Sequence, residues 1–557
     1  MIYNKTILII PARGGSKNIP RKNLRPLNGK PLIYYTIKSA LQSKLVDHVI
    51  VSTEDKEIAL FSKRFGADVL SRPSNLAMDD VSLDPVIVHA VNYYENYYNY
   101  KLSYIITIQP TSPLISSIDI DNVITKLIEE SADTVISVCE DKHLRWKVDK
   151  GIITPDYQER VNRQFLPDQY RETGAIIACK RNVLETGSRI GKKVSLYIMD
   201  YEKSIDIDSY NDLWLCELIL KRKLIVIVVT GNADVGMGHT YRTLMLANEL
   251  INHKIIFVCD STDYLAVNYI SQFNYEVKTA APNQLIEVIL KQKPDMVIND
   301  ILDTSNEYII NLKNKVRTVI NFEDLGEGAE KADLVINSLY PNKSPQKNML
   351  FGPKYFILRD EFIHIKNRNR SAKVKNIFIS FGGVDKEDFT VRILKLVSEL
   401  TKTKNISIYV VVGPGYQYLE NLKFFALNSN HPSIKIILET NKISEYMNAS
   451  DIGITSAGRT ALELYSLKIL TIVIPQNFRE TQHTFITNIN GFISLGDYKN
   501  FNDNTFCETF SKILVDPNYR SKIIGKMDKI NLRLGKYRVM EIINSLLQNK
   551  FEYNYGS

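Results

Sequence analysis

Four cationic side chains, Arg13, Lys17, Arg21 and Lys22, share one short loop with Gly14, Gly15 and Ser16, directly after the apolar run Ile7 to Ile10. Glycines let backbone N–H groups approach an anion closely, and the cations add charge. The run reads as a buried strand that breaks at Pro11, and a helix begins near Pro31. The loop is therefore predicted to be a triphosphate cradle at the carboxyl end of a first strand, where open α/β sheets bind ligands. Its spacing is not that of the GxxxxGK(S/T) phosphate loop.

Farther along, Asp206 and Asp208 stand two positions apart, so on a strand both carboxylates face one side. Paired hard oxygens beside a triphosphate invite Mg²⁺, which takes one or two protein carboxylates and keeps several waters. A second glycine turn, Gly231 to His239, follows another apolar run and opens a helix carrying Arg242. Gly236 and Gly238 admit a ligand close to the backbone at a helix N-terminus. His239 is poised there to face it and to take a proton near neutral pH. A third turn of small residues, Ser456 to Thr460, leads into a helix bearing Glu463. Its backbone amides suit a diphosphate, and Glu463 suits ribose hydroxyls.

These residues need rigid elements behind them. Ile7–Ile10, Val49–Ser52, Tyr104–Gln109 and Thr134–Val138 read as strands, alternating with helical patterns over Leu32–Gln42, Lys56–Phe65, Asp84–Tyr98 and Ile118–Glu130. Such alternation predicts a parallel or mixed sheet with helices on both faces. The helical pattern Asn211–Leu220 ends in Lys221-Arg222-Lys223, and a new strand, Leu224–Val229, restarts the series. That restart sets the expected domains at 1–222 and 223–550. Within the second, two α/β series on either side of the basic stretch Lys366 to Lys375 predict lobes of about 223–372 and 373–550, facing a cleft.

Composition narrows the class. The chain has 557 residues, 44% hydrophobic, without an apolar run long enough to span a bilayer. A net charge of +8 is modest for that length. Arg368, Arg370 and Lys373 have no interleaved aromatics, so they read as a solvated linker and not as a nucleic-acid patch. The five cysteines show no metal-type spacing and fit a reducing cytoplasm. Frequent Ile, Lys and Asn fit an AT-rich bacterial genome.

The first thirty residues resemble the nucleotide-binding signature of the CMP–sialic acid synthetase family, cytidylyltransferases that activate nine-carbon acidic sugars. The resemblance extends over the first 220 residues or so and implies a nucleotidyltransferase Rossmann-like α/β domain. It implies that Ala12, Arg13, Gly14, Ser16, Lys17, Asn23 and Gln109 bind CTP, that Arg13, Lys17 and Lys22 act in catalysis, and that Asp206 and Asp208 hold Mg²⁺. Gln109 opens a QPTSPL stretch shared with that family, which commonly continues with arginine where this chain has Ile115. Arg72, Asp79, Arg163 and Gln164 lie in stretches similar to the family's sugar pocket. A dimer paired through residues near 140–180 is implied as well. The sugar acid's identity stays open among pseudaminic, legionaminic and sialic acids, with an eight-carbon 3-deoxy acid as rival.

Residues from 223 to about 545 resemble the two-lobed, GT-B-like family containing the UDP-sugar hydrolase of pseudaminic acid biosynthesis. That likeness implies a UDP-sugar contacted by Gly236, Gly238, Ser456, Gly458, Arg459, Thr460 and Glu463, with Arg242, Gln482 and His483 at the sugar. His239 would activate water, with no obligatory metal. Arg459 stands where a small or hydroxylated residue is more usual. Alternatives for this half are a true glycosyltransferase and an idle nucleotide-binding module. Together the two likenesses imply a bifunctional cytoplasmic enzyme, without nucleic-acid or membrane partners, working with a separate phosphoenolpyruvate-dependent synthase.

Overall fold

Apolar runs buried at nearly every position dictate the layout. Thr6–Pro11 is buried throughout and Leu224–Val229 at all but its first residue, as strands covered on both faces require. The computed structural model describes residues 5–341, 346–368, 372–438, 440, 442–496 and 498–548. They form two compact units that divide between Arg222 and Lys223.

The first unit is a mixed sheet in the order Val194–Ile198, Thr134–Glu140, Tyr170–Lys180, Tyr104–Ile108, Thr6–Pro11, His48–Thr53 and Asp68–Ser71. Thr6–Pro11 runs parallel to both neighbours. Tyr170–Lys180 runs antiparallel to both of its own, a long strand that the pattern of alternation did not anticipate. Side chains start the helices where the sequence turns polar. Asp55 caps Lys56–Arg64, and capping boxes of Ser116 with Asp119 and Ser209 with Asp212 open Ser117–Glu129 and Tyr210–Leu220.

The second unit holds two all-parallel sheets, each covered by helices, in a GT-B-like arrangement of two lobes. One sheet runs Glu276–Ala280, Lys254–Asp260, Leu224–Val229, Met296–Asp300, Thr318–Phe322, Leu334–Asn337, Met349–Phe351. The other runs Ile434–Leu438, Ser407–Val412, Asn376–Ser380, Ile452–Thr455, Leu470–Val473, Phe492–Ser494. Both place their central strand's carboxyl end beside a glycine-bearing turn. No described helix is long and apolar enough to cross a membrane.

The expected second lobe, 373–550, needs one correction. Its last helix, Gly535–Leu547, buries Val539, Met540 and Ile543 in the core of the first lobe's sheet, among Ile225, Phe257 and Ile298. Lys536, only 4% exposed, fixes that docking with ion pairs to Glu249 and Asp360. The apolar face of one amphipathic helix overrides the linear boundary. Of the expected linker, Arg368 pairs with Asp451 at 2.5 Å, while Arg370 lies outside the described residues. Replacing Ile543, which is 0% exposed, by Ala should destabilise the second unit by about 2–5 kcal/mol. Urea unfolding should show that transition moving to lower denaturant while the first unit's transition stays in place.

Candidate active sites

The cradle loop is held at both ends. The Ala12 N–H donates to Ser52 O at 3.0 Å, and the buried Asn23 donates from Nδ2 to Arg13 O at 2.8 Å. Every cation of the loop then meets a carboxylate. Arg13 and Lys17 converge on Asp79 at 2.5 and 2.9 Å. Those hydrogen bonds, Lys17's first, hold the exposed Asp79 carboxyl below the usual carboxylate range. Arg21 lies between Asp55 and Glu57, and the Gly14 N–H donates to Glu54 Oε1 at 2.7 Å. Ser16 is half-buried on the same loop.

Lys22 turns the other way. Its Nζ donates to Ile207 O at 2.8 Å and to Asp208 Oδ1 at 3.0 Å, across 186 residues of sequence in the second case. The segment carrying Asp206 and Asp208 belongs to no sheet strand, contrary to expectation. It is extended and pinned by the Ile207 N–H on Thr111 O at 2.9 Å. Asp206 is half-buried and Asp208 exposed. Asp206 Oδ1 is buried and closes no hydrogen bond. Burial raises its pKa and Asp208 adds to the rise, against the nearby Thr111 hydroxyl and Lys22. A carboxylate oxygen left in that state fits a divalent ion. No group of three or more His, Cys, Asp or Glu ligands occurs among the described residues.

Gln109, expected at the nucleotide, and the expected sugar-side residues are dispersed. Gln109 leaves its strand with its N–H on Ala175 O at 3.2 Å and its amide over Gly174. Arg163 and Gln164 are exposed on a single helical turn, Arg163–Phe165. Arg72 is only 5% exposed, and its guanidinium donates to Ser52 O at 2.6 Å, so it buttresses the cradle's neighbouring strand. Ile115 is buried in the core, which explains why no charge stands there.

The second unit has a cleft of about 980 Å³ between its lobes, lined by the 234–242 turn and by residues around 380–387, 456–463 and 476–483. Asp263, buried, shapes the turn by accepting from Thr230 Oγ1, the Gly231 N–H and Asn232 Nδ2 at 2.8, 3.0 and 2.8 Å. Gly236 takes φ +83°, where a side chain would be strained. The helix Gly238–Glu249 then begins without a side-chain cap, leaving first-turn N–H groups for a ligand.

His239 stands on that first turn with Nδ1 2.5 Å from Asp300 Oδ1. Asp300, fully buried at the carboxyl end of Met296–Asp300, is gripped by Arg242 through Nε at 2.7 Å and Nη2 at 2.6 Å. Arg242 continues to Glu323 at 3.1 Å, and Glu323 accepts from Ser338. Burial alone would raise the Asp300 pKa, but the charges and hydrogen bonds of Arg242 and His239 outweigh it and hold it down at about 2. The arrangement makes Nδ1 the proton-bearing nitrogen of His239, with Nε2 as the base. Arg242 was expected at the sugar; at 3% exposure with its donors taken by two carboxylates, it orients the dyad instead.

Two more expectations change. Glu463 is spent on a bidentate pair with Arg359, at 2.8 and 2.9 Å, and is not free for ribose hydroxyls. Gln482 is not among the cleft's lining residues, whereas Gln476 and His483 are. His483 places Nδ1 2.6 Å from Ala457 O. Burial lowers its pKa, and its Nε2 is buried without a partner. Ser456, Gly458, Arg459 and Thr460 all line the cleft. Sequence reading missed Asp300, Glu323 and Glu480, and gave no role to Arg359 although its stretch, Leu358 to Phe362, resembles the same two-lobed family. Of the three missed, Asp300 had a signal, an acid closing a buried apolar strand. Glu480 accepts from the Gln476 and Ala457 N–H groups at 2.8 and 3.2 Å, and burial raises its pKa.

The chain thus has two parts: a mixed-sheet unit with a glycine-bearing cationic loop beside a paired-carboxylate segment, and a two-lobed unit with a central cleft. Residues 7–209 match the family model described as cytidylyltransferase, and residues 376–490 that of the glycosyltransferase family 28 C-terminal domain. The chain is 37% identical over 233 residues to N-acylneuraminate cytidylyltransferase of Escherichia coli O18:K1:H7, covering 39% of this chain and 53% of that protein. It is 30% identical over 227 residues to Post-translational flagellin modification protein B of Campylobacter coli, covering 40% and 97%. It is 27% identical over 228 residues to pseudaminic acid cytidylyltransferase of Campylobacter jejuni subsp. jejuni serotype O:2, covering 39% and 97%. The chain thus belongs, through its first unit, to the cytidylyltransferase family. It spans about half the length of the E. coli relative.

The depressed Asp300 pKa sets a sign for acid stability. Its contribution is fully present above the unfolded carboxyl value near ~4 and is lost as pH falls toward about 2. Acid unfolding of wild type and Asp300→Asn should therefore converge at low pH and diverge above it, with the variant less stable.

Proposed function

We propose that the first unit transfers CMP from CTP to a nine-carbon 2-keto sugar acid, releasing pyrophosphate. The observation that carries this reading is the meeting of Lys22 with the Asp206–Asp208 segment at the cradle's edge. Arg13 and Lys17 would take the β- and γ-phosphates in exchange for Asp79, and Lys22 would meet charge on the α-phosphate. The sugar's anomeric hydroxyl oxygen bonds to the α-phosphorus, and the bond to the bridging oxygen of pyrophosphate breaks. Mg²⁺ bound by Asp206 and Asp208 would supply charge neutralisation on the attacking and leaving oxygens. The exposed apolar residues Trp146, Val148, Ile152 and Ile153 of a two-stranded hairpin suit the dimer that the family likeness implies.

With CTP and each acid in turn, pyrophosphate release should appear for one nine-carbon acid. Lys22→Ala and Asp206→Asn should each lower kcat on the order of 10²–10³-fold. Release with none of these acids, or unchanged rates in both variants, would overturn the assignment.

For the second unit, the reading is hydrolysis of a UDP-2,4-diacetamido-2,4,6-trideoxyhexose to free sugar and UDP. The His239–Asp300–Arg242 chain supports it, because it leaves one oriented basic nitrogen on a cleft wall. Water attacks the anomeric carbon, its proton passes to His239 Nε2, and the electron pair of the broken C–O bond leaves with UDP. The likeness of residues 376–490 to a glycosyltransferase family favours a second reading, transfer to an acceptor. UDP release from the altrose-configured substrate, without acceptor and with EDTA present, separates the two. Hydrolysis predicts turnover that falls about 10²–10⁴-fold in His239→Ala; release only on adding an acceptor would establish transfer. The reading places the intervening condensation with phosphoenolpyruvate on a separate synthase, as the two likenesses together imply.

A further inference from the structure

Four arginines line the cleft of the second unit: Arg242, Arg359, Arg459 and Arg479. Three are neutralised. Arg242 has Asp300 and Glu323, Arg359 has Glu463 and Glu361, and Arg479 has Asp303 at 2.9 Å. Arg459 has no carboxylate partner among the described residues. Its Nη2 donates to the carbonyl oxygen of Ile357 at 2.6 Å, and its guanidinium lies 4.6 Å from the Phe356 ring centroid. Its Nη1 is buried with no hydrogen-bond partner at all. Burial and the neighbouring Arg242 push its pKa down to about 10.

Arg459 is half-buried, with Nη1 shut off from solvent, and a cation in that position with a free donor and no counter-ion is costly unless something else completes it. The surroundings say what. Arg459 is the first residue of the helix Arg459–Ser466, whose N-terminus has no side-chain cap, so backbone N–H groups point the same way as the helix dipole. Its side chain reaches from the second lobe to the first, where Cδ would lie 3.0 Å from a β-carbon built on Gly238. That puts the guanidinium beside the residue that precedes His239. Among the described residues, the one other lining side-chain atom buried without a partner is His483 Nε2, which makes no hydrogen bond to Arg459 and belongs to a ring that burial keeps uncharged, so it supplies no counter-ion.

We infer that Arg459 Nη1 binds the distal phosphate of a nucleoside diphosphate and stabilises the charge that develops there as the sugar–oxygen bond breaks. This deepens the UDP-sugar reading above and rests on it. In the proposed hydrolysis, the electron pair of the cleaved bond ends on a β-phosphate oxygen, and the Arg459 cation is the protein group placed to receive it. Because Nη2 stays on Ile357, the same side chain ties the bound diphosphate to both lobes. It also gives the departure from a small or hydroxylated residue at this position a purpose: a fixed cation at the leaving group.

Calorimetric titration of the full chain with UDP, UMP and uridine tests this. Arg459→Met should weaken UDP at least tenfold, about 1.4 kcal/mol, while uridine affinity stays within twofold of wild type. UMP should change little, since it lacks the distal phosphate. In turnover, kcat should fall more than KM rises. UDP affinity within twofold of wild type in Arg459→Met would overturn the inference while leaving the cleft's reading intact. No UDP binding by the wild type would overturn both. Should Arg459→Met also lose uridine binding, Arg459→Lys decides: its single ammonium cannot hold Ile357 and the phosphate together, so wild-type UDP affinity there would sink the inference, and a selective loss of UDP over uridine would sustain it.

Discussion

Charge gathered at the carboxyl edge of a buried parallel sheet must be matched group by group, and that requirement organises both units. Asp300 shows its strength. It ends a strand buried on both faces, where a lone carboxylate would protonate, and it stays ionised because Arg242 meets it through two nitrogens. The pair in turn fixes the tautomer and direction of His239, and Glu323 with Ser338 fixes Arg242. Chemistry at one imidazole thus depends on a partner one turn along its own helix and on others drawn from three separate strand ends.

The cradle solves the same problem with opposite signs. A loop rich in cations is stabilised by carboxylates at the positions proposed for a triphosphate's charge, Asp79 on Arg13 and Lys17 above all. These pairs are solvent-exposed and individually weak, so they order the loop without opposing a polyanion strongly. The buried pairs of the cleft are of another kind. Arg359 with Glu463 crosses between lobes as a bidentate contact with the carboxylate 3% exposed, and removing either partner would strand a charge in the interior. Exposed pairs can be exchanged for a ligand, and buried ones set the geometry a ligand meets.

Much of this was legible in one dimension. The strand–glycine–helix turns at Pro11 and Val229, the strands Leu224–Val229, Leu334–Asn337, Ile434–Leu438 and Ile452–Thr455, and most helix ranges follow from apolar runs and caps whose causes are local. The Tyr170–Lys180 strand was not legible, because its pairing with Tyr104–Ile108 and Thr134–Glu140 is antiparallel and long-range. The last helix was assigned to the wrong lobe for the same reason. Its periodicity marks an apolar face but not the surface that covers it.

By itself, the sequence determined which residue types stand at the ends of which strands: cations and glycines in one turn, a histidine at a helix start, paired acids two positions apart. Those facts are local, set by chain geometry and by what water will not solvate. Only the tertiary structure decided which charge neutralises which. Arg242 and Glu463 look like ligand contacts in the sequence and are consumed by internal partners, while Arg459 keeps a free donor. The physical reason is that pairing is settled by distance in space, and the partners of these side chains lie 58, 81, 102 and 104 residues away along the chain.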